Sequence, residues 1–175
     1  MTFSSIKKYL KKVSGAPGGR NNLGFRTGFV EIMTRQTHWS RFFDRFQTIY
    51  GRDPLEQFGS SLFVIDLDQD GADDLIVGSP FWSGQNCPEC GRISIYLQNL
   101  DNSVLTFSHS IEGIRKSARF GFSITGHDAD RDGFPEIFVS GPAGKISKIY
   151  EIPGSKTARC PDVQARDHTS THFDY

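Results

Sequence analysis

An acidic nine-residue motif that occurs twice places the strongest constraint on this chain. Residues 66–74 read DLDQDGADD, with carboxylates at positions one, three, five and nine and glycine at position six. Carboxylates crowded into one loop repel each other, and a divalent cation with oxygen ligands removes that repulsion. Calcium accepts six to eight oxygens in a forgiving geometry, whereas magnesium requires a near-octahedral site. The motif therefore predicts a calcium loop, in which Gly71 provides the sharp turn and Ala72 offers its backbone carbonyl.

The segments around the motif predict strands. An EF-hand would need a glutamate at position twelve and flanking helices, but position twelve is Val77. Short apolar runs with β-branched residues lie on either side, at 62–65 and 75–77, and they are typical of buried strands. The motif is thus expected in a β-hairpin. The alternative is a solvated acidic turn, because Asp and Gly are ordinary turn residues.

A second copy of the motif weighs against a simple turn. Residues 128–136 read DADRDGFPE, with glutamate at position nine, and another apolar run follows at 137–139. Position twelve is again valine. Two copies with matching flanks are better explained by a repeated metal-binding hairpin than by chance.

The spacing of other residues defines a repeat of about sixty residues. Phe58-Gly59 recurs at Phe120-Gly121, and Asp66 recurs at Asp128, each at an offset of 62. We predict an incomplete unit without a metal loop at 1–55, a complete metal-binding unit at 56–116, an incomplete metal-binding unit at 117–153 and a polar, disordered or altered tail at 154–175. Four strands per repeat of this length predict an all-β chain that forms part of a β-propeller.

The order Phe-Gly, D-x-D-x-D-G-x-x-D, Gly-x-Pro resembles the FG-GAP repeat from about residue 13 to 153. The resemblance is closer to integrin α subunits, with the glycosylphosphatidylinositol-specific phospholipase D of serum as second choice. It implies about two and a half blades, the last of seven, with Ca²⁺ at two sites. The implied calcium ligands are Asp66, Asp68, Asp70, the Ala72 carbonyl and Asp74 in the first loop, and Asp128, Asp130, Asp132, the Phe134 carbonyl and Glu136 in the second. The resemblance transfers no ligand-binding residue for a partner.

Composition excludes some functions. A formal net charge of zero argues against nucleic acid or an acidic membrane as the main partner. The sequence has no apolar run of about eighteen residues, so we expect no membrane span, and its basic start lacks the apolar core of a secretory signal. Either the protein is cytosolic, or this chain is a piece whose signal lies elsewhere. The resemblance favours the second, so we expect a fragment, a truncated product or an incomplete gene model of an extracellular receptor, located on the outer side of the plasma membrane.

The pair Cys87 and Cys90 forms a C-x-x-C sequence in a loop. A structural zinc site needs four ligands, and only Cys160 remains in the chain. A thioredoxin-like site needs a βαβ context that is missing here. A small loop disulfide between Cys87 and Cys90 is the preferred interpretation if the protein is extracellular.

Three functions are compatible with the sequence. The first is an adhesion-receptor module without catalytic activity, which the resemblance pairs with an integrin β subunit and an extracellular protein ligand. The second is the propeller of a phospholipase D-like enzyme, whose catalytic residues would lie outside this chain. The third is an independent soluble calcium-binding protein that closes by self-association.

Overall fold

Three successive antiparallel sheets make up the computed structural model, which describes residues 12–34, 44–128, 131, 133–143 and 146–152. Each sheet has its strands in chain order from one edge to the other. The first sheet consists of β1 (Lys12–Ala16), β2 (Phe29–Thr34) and β3 (Asp44–Tyr50). The second consists of β4 (Ser61–Ile65), β5 (Asp74–Ser79), β6 (Arg92–Gln98) and β7 (Leu105–Glu112). The third consists of β8 (Ser123–His127), β9 (Glu136–Ala143) and β10 (Ile146–Ile152).

The three sheets lie side by side, with the first strand of each sheet next to the first strand of its neighbour. Strands β1, β4 and β8 are edge strands, and β4 contacts both β1 and β8. The described part of the chain contains no helix, and hence none that is long and apolar enough to cross a membrane. The prediction of an all-β, partial β-propeller fold is confirmed. The boundaries at 55, 116 and 153 stay predictions, and the predicted tail at 154–175 lies outside the described residues.

The phenylalanines of the two Phe-Gly pairs fill the spaces between sheets. Phe58 and Phe120 are each 2% exposed. Phe58 belongs to an apolar cluster that joins Val30 of β2 to Leu75 of β5, and Phe120 belongs to a cluster that joins Ile93 of β6 to Val139 of β9. Burying one such side chain contributes roughly 1.5–3 kcal/mol. The apolar core therefore lies between the sheets.

The glycines of these junctions let neighbouring backbones approach closely. Gly121 adopts the left-handed conformation with φ +89°. A Cβ on Gly78 at the end of β5 would collide with the Gly121 carbonyl and with the hydroxyl of Ser61. The hydroxyl of Ser61 donates to that same carbonyl at 2.6 Å. The second and third sheets consequently meet through backbone atoms at this point.

A buried ion pair joins the segment after the first sheet to the second sheet. Glu56 is completely buried, and its Oε1 accepts the N–H groups of Arg52 and Asp53 at 2.6 and 3.0 Å. Nη2 of Arg92, at the start of β6, donates to Oε2 of Glu56 at 2.6 Å and to Oδ2 of Asp53 at 3.1 Å. The Arg92 guanidinium also lies 4.8 Å from the ring centre of Trp82. The contacts with Glu56, Asp53 and Trp82 hold Arg92 at the junction.

Replacing Gly78 by alanine should destabilise the chain, because the new methyl group meets the Gly121 carbonyl, which belongs to a fixed backbone. Overpacking of this kind costs roughly 1–3 kcal/mol in free energy of unfolding. Urea denaturation would measure it. The matched control is Gly18→Ala, because a Cβ at Gly18 would meet nothing within 4 Å. Equal midpoints for Gly78→Ala and the wild type would contradict the close approach.

Replacing Arg92 by alanine should leave the buried carboxylate of Glu56 without its cation. Breaking a buried pair from one side costs about 3–5 kcal/mol. The matched control is Arg45→Ala, since Arg45 forms an exposed pair with Glu31 at 3.5 Å and such pairs contribute about 0–1 kcal/mol. Thermal unfolding of both variants separates the two cases, and a similar loss in both would contradict the assigned role of Arg92.

Candidate metal centre

The first acidic motif forms the connection between β4 and β5. Ile65 and Asp74 are the last antiparallel pair of these strands, so residues 66–73 form the loop beyond it. The backbone turns through two residues in the left-handed region, Gln69 at φ 59° and Gly71 at φ 93°. Glycine adopts this conformation without steric cost. The loop thus curls back on itself and brings its acidic side chains to one end of the hairpin.

Asp74 fixes the base of the loop. Its side chain is 1% exposed, and its Oδ2 accepts the N–H of Leu67 at 3.0 Å. Its Oδ1 accepts the N–H of Gln98, the last residue of β6, at 2.9 Å. One carboxylate therefore links the loop after β4, the start of β5 and the end of β6.

The other acidic side chains accept hydrogen bonds from the loop itself. Asp66 Oδ2 accepts the N–H of Gly71 at 3.0 Å, and Asp68 Oδ1 accepts the N–H of Asp70 at 3.2 Å. Asp70 Oδ1 accepts the N–H of Ala72 at 2.8 Å. Asp66 Oδ1 is buried and has no hydrogen-bond partner among the described residues. A buried carboxylate oxygen without a partner is costly, and a cation would satisfy it.

Three carboxylates converge to within the span of a single ion. Oxygen atoms of Asp66, Asp68 and Asp74 all lie within 4.8 Å of one another. Calcium–oxygen distances are about 2.3–2.6 Å, so two ligands on opposite sides of Ca²⁺ lie about 5 Å apart. The spacing of these three oxygens therefore fits one cation. Their chemistry fits as well, because carboxylate oxygens are ligands that Ca²⁺ prefers.

Burial, more than the crowding of negative charge, makes the ionised form of this cluster unfavourable. Burial raises the pKa of Asp74 from 3.8 to about 6, despite the two N–H groups that lower it. Burial also raises the pKa of Asp68, and the neighbouring carboxylate of Asp70 raises it further. Both changes show that ionising this cluster is unfavourable in the absence of a cation.

The described residues of the second motif, between β8 and β9, share two backbone features with the first loop. Arg131 and Gly133 adopt φ values of 65° and 94°, close to those of Gln69 and Gly71. Asp128 Oδ2 accepts the N–H of Gly133 at 3.0 Å, as Asp66 does from Gly71 in the first loop. The two loops are also close in space, because a Cβ on Gly133 would lie 3.6 Å from the side-chain nitrogen of Gln69.

The predicted ligands of the second loop are only partly described. Glu136 is 3% exposed and pairs with His127 at the base of the hairpin, as Asp74 pairs with Ile65. Asp128 is exposed and Phe134 is half-buried. Asp130 and Asp132 lie outside the described residues. The ligand set of the second loop stays a prediction.

The five predicted ligands of the first loop fall into two groups in the structure. The structure brings Asp66, Asp68 and Asp74 together, and it places Asp70 and Ala72 in the same turn, hydrogen-bonded to each other. Sequence reasoning did not identify the Gln98 amide, which holds Asp74 from another strand. No sequence signal could have found it, because a backbone N–H is present at every residue except proline.

The two cysteines of the C-x-x-C sequence lie between β5 and β6. Cys87 is half-buried, Cys90 is buried, and both are free thiols in the structure. Desolvation raises the pKa of Cys87 to about 11, and a hydrogen bond with the side chain of Cys90 raises it as well. The predicted disulfide stays a prediction.

Comparisons with known proteins point to one repeat type. A family described as "FG-GAP-like repeat" matches residues 66–139. Integrin α-PS2 of Drosophila melanogaster is 31% identical over 152 residues, which is 81% of this chain and 10% of that protein. Human integrin α-IIb is 31% identical over 165 residues, 89% of this chain and 15% of that protein. Rat phosphatidylinositol-glycan-specific phospholipase D is 30% identical over 119 residues, 61% of this chain and 14% of that protein. The chain thus spans only a small part of the length of these relatives.

Calcium binding should weaken as the pH falls, because protons compete with the ion for Asp74. The metal-free carboxyl has a pKa of about 6, so it is mostly protonated at pH 5 and ionised at pH 7.5. With one such group, the calcium affinity should be about tenfold lower at pH 5 than at pH 7.5. Calorimetry in two buffers of different ionisation enthalpy would also detect proton release on binding near pH 6. Equal affinity at both pH values, without proton release, would contradict this arrangement.

Proposed function

This chain is a segment of FG-GAP-like repeats related to integrin α subunits, and from that premise we propose that it is a calcium-stabilised propeller segment of an adhesion receptor. The proposal includes two Ca²⁺ ions, one in each acidic loop. The ions have a structural role: they hold the ends of the hairpins in shape, and we assign no catalytic role to the residues that the structure describes. The segment thereby forms a rigid part of the propeller of a larger receptor.

One observation carries the calcium proposal. Among the residues that the structure describes, Asp66 Oδ1 is buried without a partner, and Asp66 belongs to the same three-carboxylate cluster as Asp68 and Asp74. A solvated acidic turn would place its carboxylate oxygens in water, and a hydrogen-bonded turn would pair them. Here an oxygen is withdrawn from water and left unpaired beside two further carboxylates, which supports a site for a cation.

The proposed role of the ion follows from the contacts of Asp74. Because this carboxylate holds the N–H groups of Leu67 and Gln98, an ion bound to it acts on the loop and on the end of β6 together. Calcium would supply the positive charge that offsets burial of the cluster. The free energy of binding then becomes stability of the second sheet.

The partners and location are proposed from the family relationship. The integrin relatives lead us to propose an integrin β subunit and an extracellular protein ligand as partners, and the outer side of the plasma membrane as the location. The formal net charge of zero agrees with a partner that is a protein rather than a nucleic acid. These partners would be contacted by the parent receptor as a whole.

A second candidate is the propeller of a phospholipase D-like protein. The observation in its favour is the similarity to rat phosphatidylinositol-glycan-specific phospholipase D at 30% identity. In that case this segment would bind calcium in the same way but would accompany a catalytic domain. Sequencing the full-length transcript separates the two candidates. A zinc-site helical region upstream favours the enzyme, and a β-sandwich with a membrane span downstream favours the receptor.

Calorimetric titration of the chelator-treated chain with Ca²⁺ should show two binding sites. Asp66→Ala should abolish binding at the first site, because it removes the unpaired oxygen, and should leave binding at the second site. The expected affinity is weak, with Kd roughly 10⁻⁴ to 10⁻³ M, as for many extracellular calcium modules. The molar ratio of bound Ca²⁺ to protein at saturation gives the number of sites.

The matched control is Asp73→Ala in the same loop. Asp73 is exposed and does not belong to the three-carboxylate cluster, so its removal changes the loop charge by the same amount without removing a ligand. We expect two sites in this variant. If Asp66→Ala and Asp73→Ala bind Ca²⁺ alike, the site is assigned to the wrong residues. Circular dichroism of each variant checks that the sheets are retained.

A further inference from the structure

The C-x-x-C segment lies at the junction between the second and third sheets. In the repeat, Cys90 corresponds to Thr27 at an offset of 63, and Cys87 corresponds to Gly24. Thr27 and Cys90 are both completely buried. The carbonyl of Thr27 accepts the N–H of Phe58 at 3.0 Å, and the carbonyl of Cys90 accepts the N–H of Phe120 at 2.9 Å. Cys90 therefore occupies a structural position that is repeated within this chain. One repeat earlier the same position holds Thr27, which has no redox chemistry.

Backbone hydrogen bonds tie this segment to the connection that leads into the third sheet. The carbonyls of four successive residues, 88–91, each accept one N–H, and the donors are Ser117, Arg119, Phe120 and Gly113, at 2.8–3.0 Å. The Arg119 side chain adds a pair of hydrogen bonds to Glu89 at 2.8 and 3.1 Å. The conformation of residues 87–91 thus determines how the third sheet is attached.

The two thiols are held beside each other. The Cys90 thiol donates to the carbonyl of Cys87 at 2.9 Å. The Cys87 thiol also makes a weak contact of 3.8 Å with the carbonyl of Gly113. If the Cys90 thiol proton were lost, the Cys87 carbonyl would keep the N–H of Gly84 at 3.0 Å. Joining the sulfur atoms would therefore leave this carbonyl paired.

We propose that Cys87 and Cys90 form a reversible disulfide whose oxidation state sets the stability of the junction between the second and third sheets. The oxidant is a small disulfide such as glutathione disulfide. The thiolate of one cysteine attacks it and releases one glutathione thiol. The second cysteine then attacks the mixed disulfide and releases the other. The protein loses two protons and two electrons, and one glutathione disulfide becomes two glutathione thiols.

The equivalent loop of the first repeat is held by a side chain, and a disulfide would have the same effect in the second repeat. In that loop the side chain of Asn21 accepts the N–H groups of Leu23 and Phe25, each at 3.0 Å. A side-chain amide thus fixes the turn without redox chemistry. In the second repeat the thiols occupy the corresponding turn, so a covalent bond between them would restrict the open conformations of this segment.

Residue-resolved hydrogen exchange on the full chain would test the proposal. Cys160→Ser is made first, so that Cys87 and Cys90 are the only remaining thiols. After prolonged incubation with excess glutathione disulfide at about pH 9, which increases the small thiolate fraction left by the raised pKa of Cys87, the peptide with both cysteines should lose the mass of two hydrogen atoms. The amides of Ser117 and Phe120 should then exchange about tenfold more slowly than in the reduced chain, because opening of the junction is restricted. The equivalent amides of the first junction, Leu55 and Phe58, serve as the internal control and should not change.

Two variants make the outcome specific. Cys87→Ser and Cys90→Thr each remove the bond, and the second introduces the residue that occupies the equivalent buried position in the first repeat. In either variant the oxidant should leave the exchange of Ser117 and Phe120 unchanged. The proposal is overturned if Cys87 and Cys90 link only to other molecules, or if their bond forms without slowing these two amides.

Discussion

The buried carboxylate of Asp74 is the interaction on which the metal-loop end of the second sheet depends. Its oxygens accept N–H groups from the loop after β4 and from the end of β6. The same burial that makes these hydrogen bonds strong also raises the pKa of the carboxyl to about 6. The hydrogen bonds therefore order the site, but burial makes the ionised carboxylates unfavourable. A divalent cation would offset this cost by neutralising their charge. Glu136 is buried at the equivalent position of the third sheet.

Where the sheets meet, close packing replaces the buried charge of the metal loop. There the chain brings backbone and aromatic groups together, with Phe58 and Phe120 between the sheets and Gly78 against the carbonyl of Gly121. The two described junctions share this backbone arrangement but use different polar chemistry. The first contains the buried Glu56, whereas the residue one repeat later is Ala118. Repetition thus fixes the geometry, and individual side chains determine how strongly each pair of sheets is joined.

The sequence was informative wherever a feature repeats. Two D-x-D-x-D-G motifs with their apolar flanks, and two Phe-Gly pairs at the same offset, were sufficient to predict the repeat and the strands around each loop. The pairing of Glu56 with Arg92 could not be predicted in this way, because the partners are 36 residues apart and have no counterpart in the next repeat. In the motif every acidic position is an equivalent candidate ligand. In the structure Asp66, Asp68 and Asp74 lie together, whereas the carboxylate of Asp70 accepts the N–H of Ala72. That distinction depends on the three-dimensional course of the loop.

A crystal structure grown in calcium, with anomalous diffraction recorded at long wavelength, would test the central claim most directly. We expect an anomalous peak within about 2.3–2.6 Å of one carboxylate oxygen from each of Asp66, Asp68 and Asp74, with Asp66 Oδ1 among these atoms. An ordered loop at saturating calcium that shows no such peak, with Asp66 Oδ1 paired to another protein group instead, would contradict it.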